Sequence, residues 1–397
     1  MTSVAVLPVS TVRIPVVLTQ GFRPFFLAAG VWSIVALAIW IVMLTTGVPL
    51  PSRFDPLTWH IHEMIFGFVM AAVAGFLLTS IPNWTRRLPI SGRPLGLLVG
   101  LWLFGRLICL VSAHVPLWLS VVADLSFPLV LVAVAAREIV AGRNWRNLPM
   151  VVPVSVLGVA NLLMHLEAAG FAVPAALGWR LGLAAVVILI SVVAGRIVPS
   201  FTRNWLAKRG ASELPSASGR IDRVALGVLH LGLLGWALDL EGHYVGPLLL
   251  AGAASNFWRS LRWRGIATSA EPLLMVLHIG YGWLVIGVGL LGLTTSGFDM
   301  PLGAAVHVLT TGAIGTMILA VMTRTTLGHT GRILSADRIT RLIYLLVGLA
   351  AVARIAAAFE VDWATRLLIA SAGFWIVGHA IFLMHYGPFL LKPRITH

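Results

Sequence analysis

Apolar residues along this chain fall into long runs separated by clusters of charge, Gly and Pro. Several runs reach the ~20 residues that a helix needs to cross a bilayer. About twelve spans are expected, centred near residues 36, 71, 104, 127, 160, 188, 231, 251, 282, 313, 348 and 376. The fold class that follows is all-α, a polytopic membrane protein with about twelve transmembrane helices. No connection is long enough for a soluble domain, the longest running from about Pro199 to Arg223, so residues 1–397 are expected to form a single membrane domain. The N-terminus lacks the charged region, apolar core and small-residue site of a cleaved signal, and the first run is expected to stay as a span.

Composition sharpens this picture. Of 397 residues, 59% are hydrophobic and 11% charged, too few charges to cover the surface of a soluble chain. The net charge of +14 would point a soluble domain toward nucleic acid, but here the bases sit in alternate loops. One side carries Arg86, Arg87 and Arg93; Arg137, Arg143 and Arg146; Arg203, Lys208, Arg209, Arg220 and Arg223; Arg259, Arg262 and Arg264; and Arg324, Arg332, Arg338 and Arg341. Arg13, Arg23, Lys392 and Arg394 join them. The other side carries Asp55, Asp239, Glu241, Asp299, Glu360 and Asp362. By the positive-inside rule the basic side and both termini are cytoplasmic, which accounts for the charge with a lipid bilayer and no nucleic acid as partner.

A weak repeat runs through the basic ends of spans two, six and ten, at Pro82-Asn83-Trp84-Thr85-Arg86, Pro199-Ser200-Phe201-Thr202-Arg203 and Val321-Met322-Thr323-Arg324. The arginines lie 117 and 121 positions apart, with four spans in each interval, so the chain reads as three four-helix units. His165 of span five and His278 of span nine, 113 positions apart, follow similar Leu-Leu-Met strings.

A titratable side chain in lipid costs several kcal/mol unless partnered, so intramembrane His, Arg and Glu are the candidates for chemistry. Span two opens with Trp59-His60-Ile61-His62-Glu63-Met64, span ten enters from the same side with His307, span five exits there through Asn161 and His165, and His278 lies in the opposite half. Imidazole is a preferred ligand of copper and heme iron. His60 and His62, two apart, diverge by about 200° on a helix and cannot hold one ion from one face. Either they serve two centres, or one binds metal while the other caps the helix or meets water. We expect His307 as an axial heme ligand, with His62, the deeper of the pair, or His60 opposite it. Glu63 offers a proton path or a hydrogen bond to a ligand. Arg106 and Arg354 need anionic partners, either heme propionates or carboxylates drawn from Glu63, Asp124, Glu167 and Asp239. With a single cysteine, Cys109, no intrachain disulfide and no cysteine-based cage is expected, which leaves His, carboxylate or Met to hold a metal. No phosphate-binding loop, hydrolase elbow or nucleotide fingerprint is present.

Several strings resemble one family: Gly21-Phe22-Arg23-Pro24-Phe25-Phe26, Trp59 through Gly67, Ala74-Gly75-Phe76-Leu77-Leu78-Thr79 to Thr85, Gly195 through Thr202, and His307 through Gly312-Ala313-Ile314-Gly315-Thr316-Met317 to Gly331-Arg332. Together, from about residue 20 to 390, they resemble the NnrS family. The resemblance implies a twelve-span protein of the bacterial inner membrane that contains heme and copper and belongs to the nitric oxide response. Positions that match family histidines are His60, His62, His165, His278, His307 and His329, whereas His114, His243, His385 and His397 do not stand out. A second resemblance is architectural, to the catalytic subunits of heme-copper oxidases and nitric oxide reductases, with three four-helix arcs and a heme between spans two and ten. The chain departs from these in lacking paired span-ten histidines and the copper triad of spans six and seven. The function implied is a membrane protein holding heme b and copper that binds or reduces nitric oxide or a similar small ligand and lowers nitrosative stress. As a nitric oxide reductase-like oxidoreductase it would draw on a quinol or cytochrome donor. The alternative is a non-catalytic metal- or heme-handling protein, sensor or transporter.

Overall fold

A computed structural model describes residues 14–395. Arg13 and His397, named above, lie outside the described residues. Among the described residues the chain forms twelve long helices: α1 (Phe22–Thr46), α2 (Pro56–Thr85), α3 (Arg93–Leu110), α4 (Leu117–Ala141), α5 (Trp145–Ala168), α6 (Leu177–Ala207), α7 (Arg220–Ala237), α8 (Gly242–Leu261), α9 (Pro272–Thr295), α10 (Leu302–His329), α11 (Arg338–Ala356) and α12 (Val361–Leu391). Ten of the twelve are long and apolar enough to cross a membrane. The other two fall short for a visible reason. α7 carries Arg220, Asp222 and Arg223 in its first four residues, and α8 sets His243, Asn256 and Arg259 among its apolar positions. Two of these charges pair with each other: Arg259 Nε donates to Asp222 Oδ1 at 2.9 Å, and its Nη1 donates to the Tyr281 hydroxyl at 2.9 Å. The chain is a multi-pass membrane protein.

Helix starts follow local chemistry. Asp55 accepts hydrogen bonds from the backbone N–H groups of Leu57 and Thr58, and Pro56 occupies the first helical position of α2, where its missing N–H costs nothing. Chain neighbours pack as adjacent pairs, and α1 also lies along α12, where Arg23 donates to the carbonyls of Leu390 and Lys392 at 2.8 Å each. The middle of the bundle is α2, α6 and α10. Their apolar windows are 78, 61 and 67% buried, against 28–56% in the other seven spans, so the three most enclosed helices recur at every fourth position.

Two of these three helices are not regular. In α2 the residues Glu63–Val69 form a π-helical segment directly after His62, and in α10 Val308–Gly315 form another directly after His307. Such segments widen the helix and free backbone carbonyls, and they concentrate at functional sites. Within the α2 segment the Gly67 carbonyl also accepts a hydrogen bond from the Trp102 indole at 3.0 Å.

Candidate functional site

The two π segments open onto a cavity of about 1140 Å³ between α1, α2, α6, α10, α11 and α12. His60 stands on its wall from α2, His307 from α10 and Arg354 from α11, and nearly all the remaining lining is apolar, including Trp40, Met64, Phe68 and Trp375. Trp40 stacks on the His60 ring at 4.2 Å between centroids, which fixes the plane of the imidazole. His307 Nδ1 donates to the Gly303 carbonyl at 2.7 Å. That bond leaves Nε2 with its lone pair, the tautomer a metal-binding histidine needs. Other groups at the cavity lack partners. His60 Nδ1 and Trp375 Nε1 are buried with no hydrogen bond, and Arg354 makes no ion pair among the described residues. Buried polar groups in folded proteins are rarely left so.

His62 points elsewhere. It is fully buried, with Nδ1 3.0 Å from Glu63 Oε1 and Nε2 3.1 Å from Asp124 Oδ2. The same Asp124 oxygen lies 3.0 Å from His165 Nε2 and 3.6 Å from Cys109 Sγ. Ligand atoms of His62, Cys109, Asp124 and His165 all fall within 4.8 Å of one another. Arg106 closes the group: Nη1 donates to Glu63 Oε1 at 2.8 Å and Nη2 pairs with Asp124 Oδ1. Glu63 Oε2 accepts from the Trp32 indole at 2.8 Å. Two glycines make this convergence possible. A Cβ on Gly105 would stand 2.9 Å from Asp124 Oδ1, and one on Gly67 would collide with the Trp32 indole nitrogen. Two carboxylates and one guanidinium leave a single negative charge, which either a proton on an imidazole or a bound cation balances.

A family model for the NnrS protein matches residues 16–394, nearly the whole chain. The chain belongs to the NnrS family. A search of the curated proteins gave no match.

In this NnrS chain the sequence-derived site residues therefore separate into two groups. His60, His307 and Arg354 share the cavity, while His62, Glu63, Arg106 and His165 share the polar cluster. The partner beside His307 on α2 is His60 rather than the deeper His62, because the Asp55 cap starts α2 early enough to put His60 inside the helix. Arg106 pairs with the carboxylates of Glu63 and Asp124 through both terminal nitrogens and does not line the cavity. Glu63 is not on the cavity wall. His278 belongs to neither group: its Nε2 lies 2.9 Å from the Thr202 hydroxyl on α6. The sequence leaves His, carboxylate or Met to hold a metal, but Cys109 lies inside the cluster with His62, Asp124 and His165. His379 of α12 also stands apart from both groups. It is fully buried, donates from Nδ1 to the Trp375 carbonyl at 2.9 Å and has no partner for Nε2. Neither it nor Cys109 had a sequence signal beyond a polar residue within an apolar run.

Proposed function

We propose that the chain binds a heme in the α2–α10 cavity and a copper ion in the His62–Asp124 cluster, and uses them to bind or reduce nitric oxide. The observation that carries this reading is the cavity itself, where two imidazoles and an unpaired guanidinium face a mostly apolar space. The donor set fits heme b: His60 and His307 would hold its iron, and Arg354 would neutralise a propionate, which also relieves the cost of a bare guanidinium. Copper fits the cluster through its imidazole and thiolate donors, with Asp124 Oδ2 at the point where three donors already converge. When bound, these groups supply one-electron chemistry and a coordination site for nitric oxide.

The chain's own residues define the rest. Trp40 and Phe68 line the cavity with apolar rings, and Trp40 stacks on His60 and holds its plane. Glu63 Oε1, bridging His62 Nδ1 and Arg106, is the atom at which a proton would be held next to the metal cluster. Family membership links the chain to the nitric oxide response. With the basic loops cytoplasmic, both sites would lie in the periplasmic half of a bacterial inner membrane, and turnover would draw electrons from a quinol or cytochrome.

The test is single substitution of His60, His62, His165, His278 and His307 by Ala, with heme and copper quantified in purified protein. His60→Ala and His307→Ala should lose heme and keep copper, His62→Ala and His165→Ala the reverse, and His278→Ala should keep both. Full, spectrally unchanged heme in His307→Ala would falsify the clamp. Heme and copper at full occupancy without nitric oxide consumption would assign the chain to the non-catalytic class.

A further inference from the structure

The three central helices line empty space well beyond the heme cavity. Next along them lies a cavity of about 550 Å³ with apolar walls, among them Val73, Leu189 and Ile318. It shares Phe76, Val193, Ile197 and Val321 with a third cavity, about 1290 Å³, at the end of the bundle that carries the basic loops. On each helix the wall positions recur at three and four residues, as in Phe76, Thr79, Ser80 and Asn83 of α2.

The chemistry changes along this line. The third cavity is walled by Arg196, Arg324, His329, Asn83 and Trp84 as well as apolar residues, and no carboxylate lines it. Arg196 donates to Asn147 Oδ1 at 3.0 Å. Arg324 lies 4.2 Å from the Phe201 ring centroid and makes no ion pair among the described residues; Glu271 is the carboxylate whose field reaches it. Arg23 and Arg394 add positive field at His329, and Arg146 adds it at Arg196. Of the three arginines in the Thr-Arg repeat, Arg324 alone lines the cavity.

Cations gathered around a partly enclosed space favour an anion there. A free inorganic anion would have no use for the apolar extension, and a neutral lipid none for the cations. We infer that this cavity seats the phosphate or carboxylate head group of an anionic amphiphile, with an acyl chain in the apolar cavity above it. The membrane's own anionic phospholipid is the source that matches both halves, since juxtamembrane arginines attract such head groups. The site is independent of the heme reading, and nothing about it requires metal.

The purified full-length protein, exchanged into neutral detergent, is offered phosphatidylglycerol or phosphatidylcholine of the same acyl length and examined by native mass spectrometry. One phosphatidylglycerol per chain should survive detergent washing and phosphatidylcholine should not. Quenching of Trp84 by phosphatidylglycerol brominated on the chain, read against Trp84→Phe, should report the same event. Arg324→Gln should lower retention about tenfold, the loss of one charge-assisted contact, and Arg196→Gln less. Arg223→Gln, an exposed arginine away from the cavity, should change nothing. Arg196→Gln with His329→Gln repeats the test if Arg324→Gln folds poorly by helix content. Equal retention of the two lipids, or unchanged retention in both sets of cavity variants, overturns the site. Displacement of bound phosphatidylglycerol by millimolar inorganic phosphate overturns the amphiphile and leaves a free-anion site.

Discussion

His60 and His62 lie two positions apart on α2, yet His60 faces a cavity with Nδ1 unpaired, while both nitrogens of His62 face carboxylate oxygens. The first region is mostly apolar and unsatisfied, and the second is charged and, apart from Arg106 Nε, saturated. The difference teaches where each region's free energy is held. A saturated buried cluster is committed to the fold, because removing one partner strands the others in low dielectric. A cavity with orphan donors contributes little to the empty protein and gains most when a ligand completes it. Two positions on one helix thus separate a cluster whose paired charges hold the fold from a cavity whose donors lack partners.

The comparison breaks most sharply at Asp124. Asp124→Ala strands Arg106, His62 and His165 together, and loss of one member of a buried ion pair costs ~3–5 kcal/mol. In unfolding titrations with a denaturing detergent it should be the least stable variant, with His307→Ala close to wild type. If the two variants unfold together, the cluster is not the structural half. Arg354→Leu should come next, and in the opposite sense. It removes an unpaired guanidinium, so the empty protein keeps its stability, while heme affinity falls by about 1–3 kcal/mol, roughly 5- to 150-fold. Heme titration into the variant reads this directly, and unchanged affinity would remove Arg354 from the site. Cys109→Ser sharpens the cluster. Its thiol is a weak hydrogen-bond partner of Asp124 at 3.6 Å, so stability should move by about 1 kcal/mol or less. Copper binding and its thiolate-to-metal absorption should disappear, and a copper-loaded variant with the wild-type spectrum would show that the thiol is not a ligand.

Much of this contrast was legible in the chain. Run length located twelve helices, and the four-span interval between Arg86, Arg203 and Arg324 marked the three helices that prove most buried. The 200° divergence of His60 and His62 foretold their separation into two environments. What the sequence withheld was the choice between them. Depth favoured His62, but the Asp55 cap and the π segment set the helical phase, and the phase decides which ring meets His307. Cys109, Asp124 and His165 come from three different helices, and only packing reveals that their side chains converge. His278 looked equivalent to His165 by spacing, yet Thr202 on the neighbouring helix takes its nitrogen.

The smallest effect is also the cleanest discriminator between the two regions. Trp375 Nε1 is buried at the cavity wall with no acceptor, a cost of about 1–3 kcal/mol if nothing bonds it. Trp375→Phe removes that orphan donor but also part of a large ring, and lost packing of this kind offsets the gain. The two terms oppose each other, so the stability of the empty protein should move by only about 1 kcal/mol. Heme binding has no such cancellation. If the indole donates to an acceptor on the bound group, Trp375→Phe loses that contact outright and heme affinity falls about 3- to 10-fold. A parallel substitution, Trp32→Phe, supplies the contrast, because its indole already donates to Glu63 Oε2 at 2.8 Å within the cluster. That variant should lose stability and leave heme affinity untouched. Measuring unfolding and heme titration for both indoles asks whether a tryptophan's N–H serves the fold or the ligand. Reversed outcomes for the pair would mean that the cavity and the cluster had exchanged roles.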